Sequence, residues 1–389
     1  GWFITYGYDG ADGTTSSSTK GIFILEYASG TVKDYSDTTV DLKTTNRFVG
    51  INEKDLDLRV VAISDMADPA AKIGDVGYES LQAAIDAAAD GQTITVMKDL
   101  VLDAPLDLDG TNLTIQGATK DVTISAGSTI TDLQVIDNDT VNGLKLKDLT
   151  FTNAIIQVQT SGPVVVENCT FKDTETSQGD QSGVLNVYGV GTEGTGSLTV
   201  RNSTFQNLTR SDTATGKEFV GIYTQKTLSS IAVEDSVFQN IAGTALSLRD
   251  CGNITVTENT FENWAYGSNG DVGRVLRVDF TNVENQNLIF TENKMVTGEQ
   301  AKESYVKITK VSNDEDQANL QLGQNYWDGM DPATGKMADG TPILEIALEN
   351  AENPNVDTPL TSEELKENES IKGEDRYYLR PTMNPEDMN

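Results

Sequence analysis

Acidic and basic side chains concentrate in one stretch of the chain that could do chemistry. The carboxylates are Asp250, Asp271 and Asp279, and the guanidinium groups of Arg274 and Arg277 lie among them in sequence. Brought together in one groove, such a set could remove the proton α to the carboxyl group of a uronate sugar. The alternative is that these residues occupy turns and charge ladders on the surface. They are the candidate catalytic residues, and no set in the chain assigns catalysis by itself.

An aromatic loop lies in the same stretch. Its sequence, from Trp264 to Asp271, is Trp-Ala-Tyr-Gly-Ser-Asn-Gly-Asp. Flat rings stack on the faces of sugars, and polar neighbours fix the orientation of a ligand. The predicted ligand-binding residues are therefore Trp264, Tyr266, Asn269 and Asp271. The alternative is that the rings pack against a neighbouring loop.

Two short acidic loops are candidates for calcium binding. One contains Asp9 and Asp12, and the other contains Asp328 and Asp331. Calcium prefers carboxylate and carbonyl oxygens, although neither loop has the spacing of an EF-hand. Calcium is the one candidate cofactor, and solvated turns are the alternative.

Composition excludes several classes of function. The 389 residues include 28 Lys and Arg, 60 Asp and Glu and no His, which gives a net charge of −32. This charge disfavours nucleic acids and anionic membranes as partners. Without His, zinc catalysis and Ser-His-Asp chemistry are close to excluded. No apolar run reaches the roughly 20 residues of a membrane span, so no membrane insertion is expected.

The elements that must position these side chains follow from a repeated phrase. The clearest copies are Ile231–Asn240 and Ile254–Asn263, with apolar residues at the first, third and eighth places and Asn at the tenth. The eighth place is filled in turn by Phe151, Phe171, Phe205, Phe238, Phe261 and Met295. Their spacing falls within the period range of solenoids. A short phrase of this kind can bury its apolar face only by stacking on a copy of itself.

The remaining places of the phrase predict bends and ladders. The sixth place is small or polar, which favours an inward bend whose side chains hydrogen-bond along the stack. The tenth place is typical of a turn, and the fourth alternates in charge like an exposed ladder. A parallel β-helix satisfies all three. In it Cys169 and Cys251 lie about three coils apart, too far for a disulfide, so both are predicted to be free thiols.

The chain resembles a known family in these phrases, in the segment Val76–Val96 and in the segment Gln324–Gly329. The chain resembles the right-handed parallel β-helix, or pectate-lyase-like, superfamily over roughly residues 73 to 330, and within it the adhesin-like surface proteins of Gram-positive bacteria. The resemblance implies an all-β solenoid. The lyases of this superfamily hold calcium on clustered carboxylates beside a basic residue, but their signature is not recognisable here. The hydrolase set of the superfamily needs a His that the chain lacks.

The predicted organisation has three parts. Residues 1–72 form a small β-rich region, whose opening strand could belong to that region, cap the solenoid or be donated to a neighbouring subunit. Residues 73–330 form the solenoid, with a capping helix over 78–90 that is marked by an apolar stripe including Leu81 and Ile85. Residues 331–389 form an acidic segment that packs on the last coil and continues as a linker.

Together these features favour a non-catalytic extracellular surface protein, either adhesin-like or carbohydrate-binding, with a glycan or another cell-surface ligand as partner. Two other functions stay open. One is a calcium-dependent uronate lyase or, more broadly, a polysaccharide lyase or glycoside hydrolase. The other is a self-assembling subunit of a surface layer or filament.

Overall fold

The computed structural model describes only part of the chain, namely residues 2–5, 23–26, 31–34, 68–176, 182–191, 194–210, 219–264, 273–296, 305–312, 317–331, 336–337, 340, 343–349 and 357–359. The chain divides into two units. One comprises Gly1–Pro69 and Asp75–Tyr78, and the other comprises Ala70–Gly74 and Glu79–Asn389.

The described strands of the first unit form an antiparallel sheet in its N-terminal part. Phe23–Glu26 pairs with both Trp2–Thr5 and Thr31–Asp34, and Val76–Tyr78 is a further short strand. The opening strand therefore pairs within the N-terminal region itself. The strand-like runs predicted at 39–42 and 58–63 lie outside the described residues.

The second unit is built mainly from three sheets, here named sheets I, II and III, and each coil from Asn112 onward contributes one strand to each sheet. Sheet I contains Ala71–Ile73, Thr93–Val96, Asn112–Gly117, Gly143–Lys147, Pro163–Glu167, Ser197–Arg201, Ser230–Glu234, Asn253–Thr257, Gln286–Thr291 and Ala318–Gln321. Sheet II contains Leu100–Leu102, Thr123–Ala126, Thr150–Thr152, Thr170–Thr176, Thr204–Arg210, Val237–Ile241, Thr260–Trp264, Lys294–Val296 and Tyr326–Trp327. Sheet III contains Gln134–Val141, Ile155–Thr160, Ser182–Gly189, Phe219–Gln225, Thr244–Arg249, Leu276–Asp279, Val306–Val311, Leu344–Glu349 and Asp357–Pro359.

Neighbouring strands within each sheet are parallel, except for the first strand of sheet I and the last of sheet III. Equivalent places of the phrase lie in register, as when Ile231 pairs with Ile254. The all-β prediction of a parallel β-helix is therefore confirmed. Sheet III continues to Leu344–Glu349, so the solenoid extends beyond the predicted boundary at residue 330.

The eighth-place residues form a single stack of rings inside the solenoid. Successive ring centroids from Phe151 to Phe261 lie 4.8–5.0 Å apart, with interplanar angles of 3–17°. Met295 and then Trp327 continue the column in register. Offset stacking of this kind adds to the free energy gained from burying each ring.

The sixth-place residues form a buried hydrogen-bond ladder beside the rings. The backbone N–H of Ser236 donates to Asn259 Oδ1 at 3.0 Å, and that of Asn259 donates to Asn293 Oδ1 at 3.1 Å. Asn293 N–H donates in turn to Asn325 Oδ1 at 3.0 Å. Each side chain thus satisfies a backbone donor of the preceding coil, which allows the chain to bend sharply inside the core.

Left-handed backbone recurs at two turns of each coil. The fifth place holds Asn168, Asn202 and Asp235 at φ angles of 54°, 49° and 48°. The tenth place holds Asn240 and Asn263 at 55° and 52°. Asn and Asp tolerate this conformation better than other non-glycine residues, which explains their recurrence at these places.

Glu258 is an exception in the fifth-place column, with a φ angle of 60°. Its pKa is raised, first by a hydrogen bond and charge from Asp235, then by burial and by the charges of Glu292 and Glu234. Because the folded state binds this proton more tightly than the unfolded state, ionisation of Glu258 opposes folding at neutral pH.

We therefore expect Glu258→Asn to raise the thermal unfolding midpoint by roughly 1–3 °C at pH 7. Glu258→Gln removes the charge without favouring left-handed backbone, so it should give a smaller rise. The part of this advantage that comes from removing the charge should shrink as the pH falls through the raised pKa of Glu258, and it should be absent below about 4.3, where the unfolded glutamate also binds its proton. Scanning calorimetry at pH 7 and at low pH measures this, and an unchanged or lower midpoint at pH 7 would contradict it.

The described helix of the second unit is Leu81–Ala87. Ser80 caps it, since its Oγ accepts the N–H of Ala83 at 3.1 Å. Leu81, Ala84 and Ile85 are buried, in agreement with the predicted apolar stripe. The helix is shorter than the predicted span 78–90 because Ala88 is extended, with ψ at 139°.

Candidate functional site

The outer face of sheet III carries aromatic and charged side chains over four successive coils. We name Tyr188, Tyr223, Arg249, Asp250 and Asp279 the sheet III cluster. Parallel register places Arg249 beside Asp279, each at the end of its strand. Because side chains alternate along a strand, these two lie on the face opposite the buried Leu248 and Val278.

Arg249 and Asp279 form an ion pair that is largely shielded from solvent. Arg249 Nη2 lies 3.3 Å from Asp279 Oδ2, and the two side chains are 20% and 11% exposed. The other carboxylate oxygen of Asp279 accepts the backbone N–H of Thr281 at 3.0 Å and its hydroxyl at 2.5 Å. Both oxygens of Asp279 are therefore engaged, and the guanidinium group is fixed in one orientation.

Tyr223 contacts this ion pair, and Tyr188 contacts Tyr223. Arg249 Nη1 donates to Tyr223 Oη at 3.4 Å, and the Tyr223 hydroxyl donates to Gln225 Oε1 at 3.3 Å. The ring of Tyr188 meets that of Tyr223 edge to face, with centroids 6.1 Å apart. Burial, followed by the charge of Tyr223, raises the pKa of Tyr188 to about 12, so its hydroxyl stays a donor throughout the physiological range.

Asp250 follows Arg249 at a turn with a φ angle of 55°. Its Oδ2 accepts the backbone N–H of Lys226 at 3.3 Å, and its Oδ1 is buried without a hydrogen-bond partner among the described residues. Burial raises the pKa of Asp250, and the positive charge of Arg249 partly offsets that effect. Asp250 therefore holds a proton more readily than an aspartate in water does.

The structure brings together only some of the predicted catalytic residues. Asp250 and Asp279 both join the cluster. Arg277 lies on the outer face of sheet III, in register with Ser247, while Arg274 is buried at 3% exposure. Asp271 lies outside the described residues.

The predicted aromatic loop needs a correction at Trp264. This residue ends the strand Thr260–Trp264, in register with the buried Ile241, and it is only 1% exposed. Its ring packs edge to face against Tyr305, with centroids 5.3 Å apart. Trp264 therefore belongs to the core and offers no ring face for a sugar. Tyr266, Asn269 and Asp271 lie outside the described residues.

The candidate calcium ligands remain separate in the part of the chain that the structure describes. Asp328 Oδ1 accepts the hydroxyl of Tyr326 at 3.4 Å, and Asp331 ends the short strand Met330–Asp331. Asp9 and Asp12 lie outside that part. No group of three or more His, Cys, Asp or Glu able to hold a metal occurs within it. Calcium binding therefore stays a prediction.

Sequence reasoning missed the tyrosines of the cluster. Tyr188 and Tyr223 lie on sheet III strands, whereas the repeated phrase covers only the strands of sheets I and II. The one feature of the sequence that could have identified them is their position, since each lies near the end of a strand that comes just before the next copy of the phrase.

A comparison with protein-family models gives a match to most of the solenoid. Residues 108–294 match a family model described as a right handed beta helix region. This region belongs to the right-handed β-helix family. The right-handed β-helix match includes the ring stack from Phe151 to Phe261 and the whole sheet III cluster. Comparison with curated proteins found no match. None of the helices in the described residues is long and apolar enough to cross a membrane.

The two cysteines also lie within the matched region. Cys169 and Cys251 are both buried and free. Burial raises the pKa of each thiol to about 12, which makes both unreactive near neutral pH. They therefore serve packing and are not part of a chemical site.

Proposed function

We propose that this chain is a non-catalytic, extracellular carbohydrate-binding protein of the adhesin-like kind, and that the sheet III cluster forms part of its ligand-binding surface. The observation that carries the proposal is the fixed guanidinium group of Arg249, held by Asp279 and by Tyr223, whose ring meets the half-buried ring of Tyr188. Preorganised donors next to an aromatic ring suit a sugar, because little side-chain entropy is lost when the ligand binds.

The same arrangement favours binding over catalysis. A general base needs a free lone pair directed at its substrate, and both oxygens of Asp279 are already engaged. The chain's net charge of −32 supports an uncharged or weakly charged partner over a polyanion. A cell-surface glycan meets both conditions, and we propose an extracellular location because such a partner lies outside the cell.

A glycan array followed by calorimetric titration of each hit tests this proposal. We expect Arg249→Met and Tyr188→Ala each to weaken binding at least about tenfold, since each removes an interaction worth on the order of 1.4 kcal/mol. Lys172→Met, on the outer face of sheet II, is the matched control and should bind like the parent.

Arg249→Met leaves Asp279 without its ion pair, which destabilises the fold and can by itself reduce binding. Tyr188→Ala keeps that ion pair, so weaker binding in this variant reflects the loss of the ring. Circular dichroism melts establish that each variant is folded. An array without any ligand, or affinities unchanged in both variants, would overturn the proposal.

One observation favours a second function, uronate lyase activity. Asp250 is a half-buried carboxylate with a raised pKa beside Arg249, as a base that removes an α proton requires. A panel of polyuronates with and without calcium, followed by ultraviolet absorbance of unsaturated products, tests it. Product formation abolished by Asp250→Asn would replace the binding proposal, whereas no product on the panel would remove the lyase.

A further inference from the structure

The outer face of sheet I carries few large side chains along its centre. Its central row consists of small or β-branched residues in register, all half-buried: Val165, Thr199, Ala232, Thr255 and Ile289. Sheet I is joined to sheet II by only two residues in successive coils, for example between Glu234 and Val237. No insertion therefore rises from this edge between residues 143 and 296, where the structure describes both strands of each coil.

One half of this face is basic. Lys145, Lys147 and Arg201 lie on the coils before the midpoint of the row. Glu167 bridges two of them, with its Oε2 at 2.5 Å from Lys145 Nζ and 3.0 Å from Arg201 Nη2. Hydrogen bonds from Lys145 and then Arg201 lower the pKa of Glu167 to about 2, so it stays ionised. Asp148, whose Oδ2 lies 3.9 Å from Lys147 Nζ, adds a second negative charge, so three positive and two negative side chains leave this half with an excess of one positive charge.

The other half is acidic. Glu234, Asp235, Glu258 and Glu292 lie on the three coils after the midpoint. A hydrogen bond and the charge of Asp235, then burial and the charges of Glu292 and Glu234, raise the pKa of Glu258, as expected for carboxylates that lie close together. The two halves of one face therefore carry opposite excess charges, and the acidic half gains from a cation brought close to it.

We propose that two copies of this chain associate through their sheet I faces, with their solenoid axes antiparallel. The two-fold axis runs parallel to the strands and passes between Thr199 and Ala232. Arg201 of each copy then faces Glu234 of the other, and Lys147 faces the coil of Glu292. The small central rows meet with little steric obstruction, as in aligned packing of two sheets.

The small area of this contact indicates a weak dimer. The row from Lys145 to Ile289 spans six coils, and each strand presents five residues at Pro163–Glu167 and its equivalents. At about 4.8 Å per coil and 3.3 Å per residue, each copy buries on the order of 500 Å². The total of roughly 1,000 Å² is at the lower limit of specific interfaces, so the dimer should be weak and sensitive to salt.

Sedimentation velocity of the full chain tests this inference across about 1–100 μM protein, at low and high sodium chloride. We expect a dimer whose fraction rises with protein concentration and falls with salt. Ala232→Arg adds a charged side chain at the centre of the face without disturbing the core, and it should raise the dimer Kd at least about tenfold. Gln206→Arg, on the outer face of sheet II, is the control and should leave the Kd unchanged.

A charge exchange tests the orientation of the two copies. Arg201→Glu should abolish the dimer, and the double variant Arg201→Glu with Glu234→Arg should restore it. A monomer at every concentration would overturn the proposal, as would a dimer indifferent to Ala232→Arg. Association that requires calcium and survives Ala232→Arg would also overturn it, because it would indicate bridging of the acidic half by the cation. The outcome is independent of glycan binding, which concerns sheet III.

Discussion

Replacing Phe238 with Ala is expected to destabilise the solenoid by about 3–5 kcal/mol, because the variant leaves a cavity in a fully buried column. Phe238 stacks on Phe205 at 4.8 Å and on Phe261 at 5.0 Å, so both ring contacts disappear together. Urea unfolding followed by circular dichroism measures the change. Since each coil contacts only its neighbours, we also expect a shallower transition as the two halves uncouple.

Two variants sharpen this prediction. Phe238→Leu keeps most of the apolar volume and should lose roughly 1–2 kcal/mol. Phe151→Ala removes a ring that has one described stacking partner, Phe171, and should cost less than Phe238→Ala. A loss below about 1 kcal/mol for Phe238→Ala would show that the ring stack contributes little to stability.

Replacing Asn293 with Ala is expected to cost a similar amount for a different reason. Asn293 is fully buried, and its Oδ1 accepts the N–H and the side-chain amide of Asn259 at 3.1 and 3.0 Å. Its Nδ2 donates to the carbonyl oxygens of Val256 and Thr291, each at 2.9 Å. The Ala variant removes these four buried hydrogen bonds at about 0.5–1.5 kcal/mol net each, so we expect a total loss of roughly 2–6 kcal/mol.

Asn293→Ser separates the two roles of the amide. In the same column Ser236 Oγ accepts the N–H of Ser203 at 3.2 Å and donates to Glu234 O at 2.8 Å. A serine at position 293 can therefore accept the Asn259 N–H but cannot reach every carbonyl, and about half of the loss should be recovered. Equal unfolding midpoints for the Ala and Ser variants would contradict this account of the ladder.

The repeated phrase predicted two strands of every coil because stacking turns a local pattern into a tertiary contact. When Phe205, Phe238 and Phe261 recur at the same place, each becomes the neighbour of the next. The polar sixth place was predicted as an inward bend, and Asn259 and Asn293 hydrogen-bond there. In these columns, neighbours in space are also equivalents in sequence.

Sheet III did not follow from the phrase. Insertions of different lengths separate the sheet II strands from the sheet III strands, as between Arg210 and Phe219 and between Trp264 and Leu276. Counting from the phrase therefore cannot give the register that pairs Arg249 with Asp279. Trp264 shows the same difficulty. It was predicted to lie in a surface loop, but it is the last residue of the strand Thr260–Trp264 and its ring is buried in the core.

By itself the sequence determined the contacts between equivalent places: the stacked repeat, the direction of its strands, the ring column, the polar ladder and the column of turns at the tenth place. Only the tertiary structure decided which unlike residues meet, such as Arg249 with Asp279 and Tyr223, and which ring lies inside. The physical reason is that a stacked repeat specifies contacts between equivalent places. A contact between different places depends instead on register and loop length, and those are fixed only when the coils are wound together.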